Sequence, residues 1–222
     1  KDRLYHRAMT ELYPQSKPEN FQPEDSVDFY FRILKDAPEE SVTICAIGML
    51  TALRDFLRSE GAADLIRRKV RRLVTMAEAL FPTGSDGFNW NMDRDAAAAV
   101  LADWPGEIVV TSPGRNVLTA AYPCADTPRG GMVKLAYRRM GGGDEKFFRA
   151  SWDLIAMLFC GGQLDAETVL SPECRIEYDV ASGRHVATPE PGGKRRFLSL
   201  KIEPEALAEI VQRHLIAACA KR

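Results

Sequence analysis

The sequence lacks the marks of several familiar chemistries. None of its 222 residues falls into a GxSxG elbow, a P-loop, an HExxH pair or an EF-hand loop, which removes the usual signatures of serine hydrolases, nucleotide-phosphate cradles, zinc proteases and calcium loops. The five cysteines, Cys45, Cys124, Cys160, Cys174 and Cys219, are scattered and never spaced as CxxC. A disulfide framework or zinc site is therefore not expected, and reduced core thiols are. Only three histidines occur. His6 in an opening helix, His185 after a turn and His214 near an apolar stripe all suit surface or packing roles. No apolar run approaches the roughly 20 residues of a membrane span. A net charge of −1 gives no electrostatic case for nucleic acid or an acidic membrane, so neither is expected as a partner. No signal peptide can be read, and the chain opens at Lys1 without methionine. The expectation is a longer parent whose first strands lie upstream.

What is present is an ordinary globular composition, 45% hydrophobic and 27% charged, with alternating strand and helix patterns. "DRLYHRAMTELYP" reads as a helix, followed by the Pro-rich link "PQSKPENFQPED". Val27, Tyr30, Phe31 and Leu34 share one helical face, with Asp25 or Ser26 as cap. "SVTICAI" (41–47) suits a strand covered on both faces. Gly48 turns the chain into "MLTALRDFLRSE", a helix ending at Gly61. "KVRRLVTM" (69–76) is the next strand, then an irregular loop over 77–87. Asp93 caps "RDAAAAVLADW", Pro105-Gly106 end it, and "EIVVTS" follows as a strand. This alternation predicts βαβ units on an open, mostly parallel sheet with helices on both faces, in one domain over 1–222. Right-handed crossovers would line the strands' carboxyl ends along one edge, where ligands bind in such sheets. Later come the helices "GGMVKLAYRRM" and "ASWDLIAMLFC", a hairpin turning at Ser182-Gly183, the strand "RRFLSLKI" and a last helix over 204–219. These add a small antiparallel region near the carboxyl terminus.

Two further stretches have plain readings. Gly141 to Gly143 stop a helix rather than cradle phosphate, since no strand leads into them. In "IRRKVRRLV" the cations suit a helix carboxyl end and flank a strand. The residues that remain stand at predicted strand ends: Ile47, Met76, Phe88 and Asn89, with Trp152-Asp153 opening a helix. Singly, each has a bland role: Asn89 satisfies turn backbone, Met76 belongs to the core, Asp153 caps its helix. Together they offer an amide, an aromatic wall, a thioether, a carbonyl and a carboxylate. That set suits a sugar or polyol, with an oxygen-seeking cation to help hold it.

"SVTICAIGMLTALRDFL", "KVRRLVTMAEAL", "GFNWNMDRDAAAAVL" and "EIVV", in that order, resemble the inosine-uridine-preferring nucleoside hydrolase family. "KDRLYHRA", "RASWDLIAML" and "KRRFLSL" extend the likeness to a divergent nucleoside hydrolase-like branch over nearly the whole chain. The resemblance implies an α/β nucleoside hydrolase-like fold and calcium-dependent cleavage of the N-glycosidic bond of a ribonucleoside or related ribosyl compound. It also implies a tendency to form homo-oligomers. Carried over by position, Ile47 would offer its backbone carbonyl to Ca²⁺ and Asp153 would ligate it directly. Met76 would touch the ribose, Asn89 would hold a ribose hydroxyl with Phe88 packed beside it, and Trp152 would wall the leaving base. The chain departs from the family in four places, one being the shortened Gly-Phe-Glu element that its branch carries after "IVVTS". The DxDxxxDD-like aspartate run, source of the general base and of most calcium carboxylates, is absent, so that base is expected upstream of residue 1. Gly87 stands where a glutamate is expected. The 77–86 loop lacks the family's Gly-Asn. These departures leave a second expectation open, a catalytically inactive nucleoside- or sugar-binding relative.

Overall fold

Four apolar segments line up in parallel in the computed structural model, which describes residues 5–13, 19 and 22–221. In chain order the elements are α1 (Tyr5–Leu12), α2 (Ser26–Asp36), β1 (Val42–Ala46), α3 (Thr51–Leu57), α4 (Ala62–Lys69), β2 (Val70–Met76), β3 (Thr83–Ser85), α5 (Asn89–Met92), α6 (Arg94–Asp103) and β4 (Ile108–Thr111). There follow β5 (Leu118–Ala120), α7 (Pro128–Met140), β6 (Phe148–Ala150), α8 (Trp152–Cys160), β7 (Thr168–Leu170), β8 (Cys174–Asp179), β9 (Arg184–Pro189), β10 (Arg195–Leu200) and α9 (Pro204–Ala220). Lys1 to Leu4 and most of the Pro-rich link lie outside the described residues. No helix among the described residues is long and apolar enough to cross a membrane.

The chain forms two compact units, one of residues 24–113 and 152–201, the other of residues 1–23, 114–151 and 202–222. The larger unit holds an eight-stranded sheet in the order β1-β2-β4-β10-β8-β9-β3, with β7 also paired to β10. β1, β2, β4 and β10 are parallel, and the β7, β8, β9 and β3 pairings are antiparallel. This is a mixed α/β sheet, parallel in its core as the alternation predicts, with an antiparallel region beyond β10. One local expectation needs correction. Residues 77–87 are not wholly irregular, because Thr83–Ser85 pair with β9. β1 has the core on one face, reached by Val42, Ile44 and Ala46, and α8 on the other, and it forms one edge of the sheet.

Strand alternation sorts the two faces. Leu73, Ile108, Val110 and Phe197 enter a core shared with Leu53, Phe56, Ile66, Ala97, Val100 and Leu101 of the helices α3, α4 and α6. The alanines of α6 let that helix lie close, with Ala96 and Ala97 fully buried. The opposite face of β1, β2 and β4 takes α8, whose Ile155 and Ala156 are fully buried. In the smaller unit α7 packs on α1 and α9. Gln212 of α9 brackets Ala120, accepting from its N–H at 2.8 Å and donating to its carbonyl at 2.9 Å. Gly130 is required there: a Cβ would come within 2.0 Å of the Ala125 carbonyl oxygen, so only glycine lets α7 start so close.

A buried cation fastens α6 to the sheet. The Arg195 side chain, only 7% exposed, donates to the carbonyls of Leu101 (2.8 Å), Ala102 (3.2 Å), Trp104 (2.9 Å) and Gly106 (3.1 Å). These include the orphan acceptors of the α6 carboxyl end, where the helix dipole also favours positive charge. His185 is buried likewise, stacked on Phe197 at 5.5 Å with Nε2–H donating to the Leu80 carbonyl at 2.9 Å. Burial holds its imidazole below the ordinary histidine range despite that bond.

Two outcomes follow. Arg195→Met should cost about 3 kcal/mol in urea unfolding by stranding those carbonyls. A histidine neutral when folded and protonated when unfolded leaves stability whole above about pH 6.5 and erodes it as pH falls toward the folded pKa. His185→Phe should therefore flatten the decline of the urea midpoint between about pH 6.5 and 5. An unchanged slope would contradict the buried neutral imidazole.

Candidate functional site

The site grows from the carboxyl ends of β1, β2 and β4. Ala46 pairs with Thr75 and Met76 with Thr111, so Ile47, Met76 and Thr111 stand along one sheet edge. From Met76 the chain loops out through β3 and returns at Asp86. The Asp86 carboxylate, 5% exposed, accepts from the Glu78 N–H at 2.8 Å and the Trp90 N–H at 2.7 Å. It thereby closes the loop and caps the first turn of α5. Trp90 is fully buried and donates from its indole to the Thr75 hydroxyl at 3.1 Å. The turn is pinned to the end of β2 from both sides.

This places Asn89 directly on Met76. Its side-chain amide donates to the Met76 carbonyl at 3.0 Å and to the Met76 sulfur at 2.9 Å. Both residues are buried, at 7% and 8% exposure. The amide thus satisfies backbone at the strand end, the plain role expected of it, and its rotamer is fixed there. Asp93, read from sequence as the cap of α6, accepts from the Ala96 N–H at 3.0 Å. It also takes the Thr51 hydroxyl at 2.6 Å and the Arg54 guanidinium at 3.2 Å, joining α3 to α6. The Thr51 bond first, then the Ala96 N–H and the Arg54 charge, hold its carboxyl below the usual aspartate range against the cost of burial.

The second wall is the first turn of α8. Arg72, near the start of β2, sets its guanidinium 5.5 Å from the Phe159 ring. The carboxyl end of α8 therefore overlies the strand starts, and Trp152 and Asp153 stand toward the carboxyl edge. Trp152 is half-buried and its indole N–H is enclosed with no hydrogen-bond partner among the described residues. Asp153 is exposed and near enough to Cys45 to add to the rise of that thiol, after the Cys160 bond, burial and the Cys160 charge. Ile47 is 42% exposed and Phe88 69%. Phe88 is the residue just before α5 and is largely exposed.

All six sequence-nominated residues thus belong to the larger unit, and Asn89 and Met76 touch. Sequence reasoning missed Asp86 and Thr75, which hold Asn89 in place. The available signal was the four-residue spacing from Asp86 to Trp90, that of a carboxylate closing a helical turn. Among the described residues no group of three or more His, Cys, Asp or Glu is arranged to hold a metal ion.

Asp86→Asn would turn an amide NH₂ toward one of two buried N–H donors. It should cost about 2 kcal/mol of stability, read by urea unfolding. Asp93 contributes differently with pH. Its depressed carboxyl stabilises above about pH 4 and loses that contribution as pH falls through its folded pKa. Asp93→Ala should therefore cost about 1–2 kcal/mol near neutral pH and progressively less in acid.

No family model matches the sequence, and no curated protein does. Solved structures do match. A plant nucleoside hydrolase, PpNRh1, superposes with a TM-score of 0.70 at 14% identity, covering 98% of this chain and 75% of that one. The inosine-uridine preferring nucleoside hydrolase of Bacillus anthracis gives 0.59 at 16% identity, covering 94% of this chain and 73% of that one. The chain therefore has a divergent nucleoside hydrolase-like α/β fold.

Proposed function

We propose that this chain is an N-ribosyl hydrolase-like protein that holds a ribonucleoside or related ribosyl compound at the carboxyl edge of β1, β2 and β4. Asn89, Met76, Phe88 and Trp152 would be its contacts. The observation that carries this reading is the Asn89 amide locked on Met76 at the sheet edge toward which the first turn of α8 points. The likeness to two nucleoside hydrolases supports it at the level of fold. The half-buried Trp152 ring at the start of α8 supports it chemically. An aromatic face is what a nucleobase stacks on.

Scission of an N-glycosidic bond builds positive charge on the ribose, as in O-glycoside hydrolysis. In the family this chain resembles, Ca²⁺ would supply Lewis-acid assistance to that scission. Calcium takes six to eight oxygens, and here the candidate donors are the Asp153 carboxylate and the Ile47 carbonyl. With no cluster of three acidic or other ligating side chains among the described residues, these do not make a calcium site on their own. Calcium-dependent turnover would require further carboxylates. Binding is what these residues support directly, and the same observation favours a second reading, a nucleoside- or sugar-binding relative without catalysis.

Calorimetry against a panel of ribonucleosides and ribose, with and without Ca²⁺, should give saturable binding. Trp152→Leu keeps an apolar residue but removes the aromatic face, and should weaken binding about tenfold. Release of base and reducing sugar is followed in the same samples. Release would establish the hydrolase reading, whereas binding without release would establish the second. Absence of saturable binding by every ribosyl compound would overturn both.

A further inference from the structure

The amino ends of β4 and β10, opposite the edge described above, carry two grooves within the larger unit. β8 pairs with β10 at Cys174 and Arg195 and then runs beside α6. Its Ile176 is buried and its Tyr178 half-buried. The helix meets this strand with small side chains, Ala98 and Ala102, which share one face with Leu101. A groove of about 540 Å³ is left between them, lined by these residues. Arg175, also on its rim, is already paired with Glu177 and Glu190.

The second groove, of about 530 Å³, begins where the first ends, because Gly193 and Lys194 line both. Its cations are Arg67, Arg71, Lys194 and Arg196. Most charges here are spent on one another. Arg67 pairs with Asp64 at 2.5 Å, and Arg196 with Glu173 at 3.0 Å. Glu107 is held by Arg72 at 2.5 Å. Arg71 and Lys194 have no carboxylate partner among the described residues, and the Lys194 ammonium donates only to the Pro105 carbonyl, at 2.8 Å. Against these two free cations stands one unpaired carboxylate, Glu40. Between the grooves runs the backbone of Gly192 and Gly193, which carries no side chain to close the passage. Gly193 is fixed as glycine, since a Cβ there would lie 2.7 Å from the Cys174 carbonyl oxygen.

We propose that the joined grooves bind a small amphiphilic anion, its apolar chain between α6 and β8 and its carboxylate or phosphate head on Lys194 and Arg71. Each methylene that leaves water for the alanine-lined groove favours the complex. The head meets ammonium and guanidinium donors that no carboxylate of the protein occupies. The apolar groove alone would take a neutral chain as readily, and the two cations select the anion. Both volumes fall in the range of small-molecule sites. The site stands at the other ends of the strands, so it does not depend on what the carboxyl edge binds.

The test uses the folded full chain and decanoate, kept below its micelle concentration, with calorimetry and amide chemical-shift mapping. Saturable binding is expected, with shifts at Ala98, Ala102, Ile176 and Gly192 to Lys194. Decanol, which has the chain without the charge, should bind about tenfold more weakly. Lys194→Met and Arg71→Met should each weaken decanoate severalfold and leave decanol unchanged. Ala102→Phe fills the groove and should abolish binding of both at an unaltered urea midpoint. Decyl phosphate binding more tightly than decanoate would assign a phosphate head, and the reverse a carboxylate. The proposal is overturned by the absence of saturable binding of either anion, by equal affinity for decanol, or by binding that survives Ala102→Phe.

Discussion

The bond between the Asn89 amide and the end of β2 is the constraint on which the candidate site rests. A strand that stops at a sheet edge leaves its last carbonyl without a ladder partner, and a buried carbonyl must find a donor. Here the donor comes from a residue thirteen positions later, which forces the intervening chain to fold back on the strand. Asp86 makes the return possible by accepting N–H groups from both limbs of the loop. Trp90 sinks beneath the sheet edge and bonds the preceding strand residue, Thr75. One polar network therefore decides where α5 begins, which way Phe88 faces, and where Asp93 can start α6.

From Asp93 the order spreads through packing. Its carboxylate joins the first turns of α3 and α6, and Arg195 anchors the far end of α6. The helix is held at both ends by charge meeting backbone or hydroxyl groups, while its alanine face lies flush on the core. So plain a helix can therefore follow so particular a corner. The corner is fixed by hydrogen bonds, and the small side chains allow the helix to approach without contesting it.

The α/β order was legible because strand and helix periods alternate cleanly between residues 42 and 111. Less legible was the place of β10. Its pattern marks a strand, but nothing local says that it enters parallel beside β4 while pairing antiparallel with β7 and β8. Such pairings are long-range and leave no periodic trace. Three-residue β3 was hidden for want of length. Met76 and Asn89 were nominated through their motif, and their mutual bond left no trace in it. The exposure of Phe88 left no mark in the sequence, because it is set by the backbone just before α5.

The central claim is that one sheet edge carries the ligand. The most direct measurement is amide chemical-shift mapping of the folded chain during titration with a ribonucleoside. The account predicts shifts concentrated at Ile47, Met76 to Ala77, Phe88 to Trp90 and Trp152 to Asp153. Shifts absent there and gathered instead along the 540 Å³ groove lined by Leu101, Ile176 and Tyr178 would contradict it.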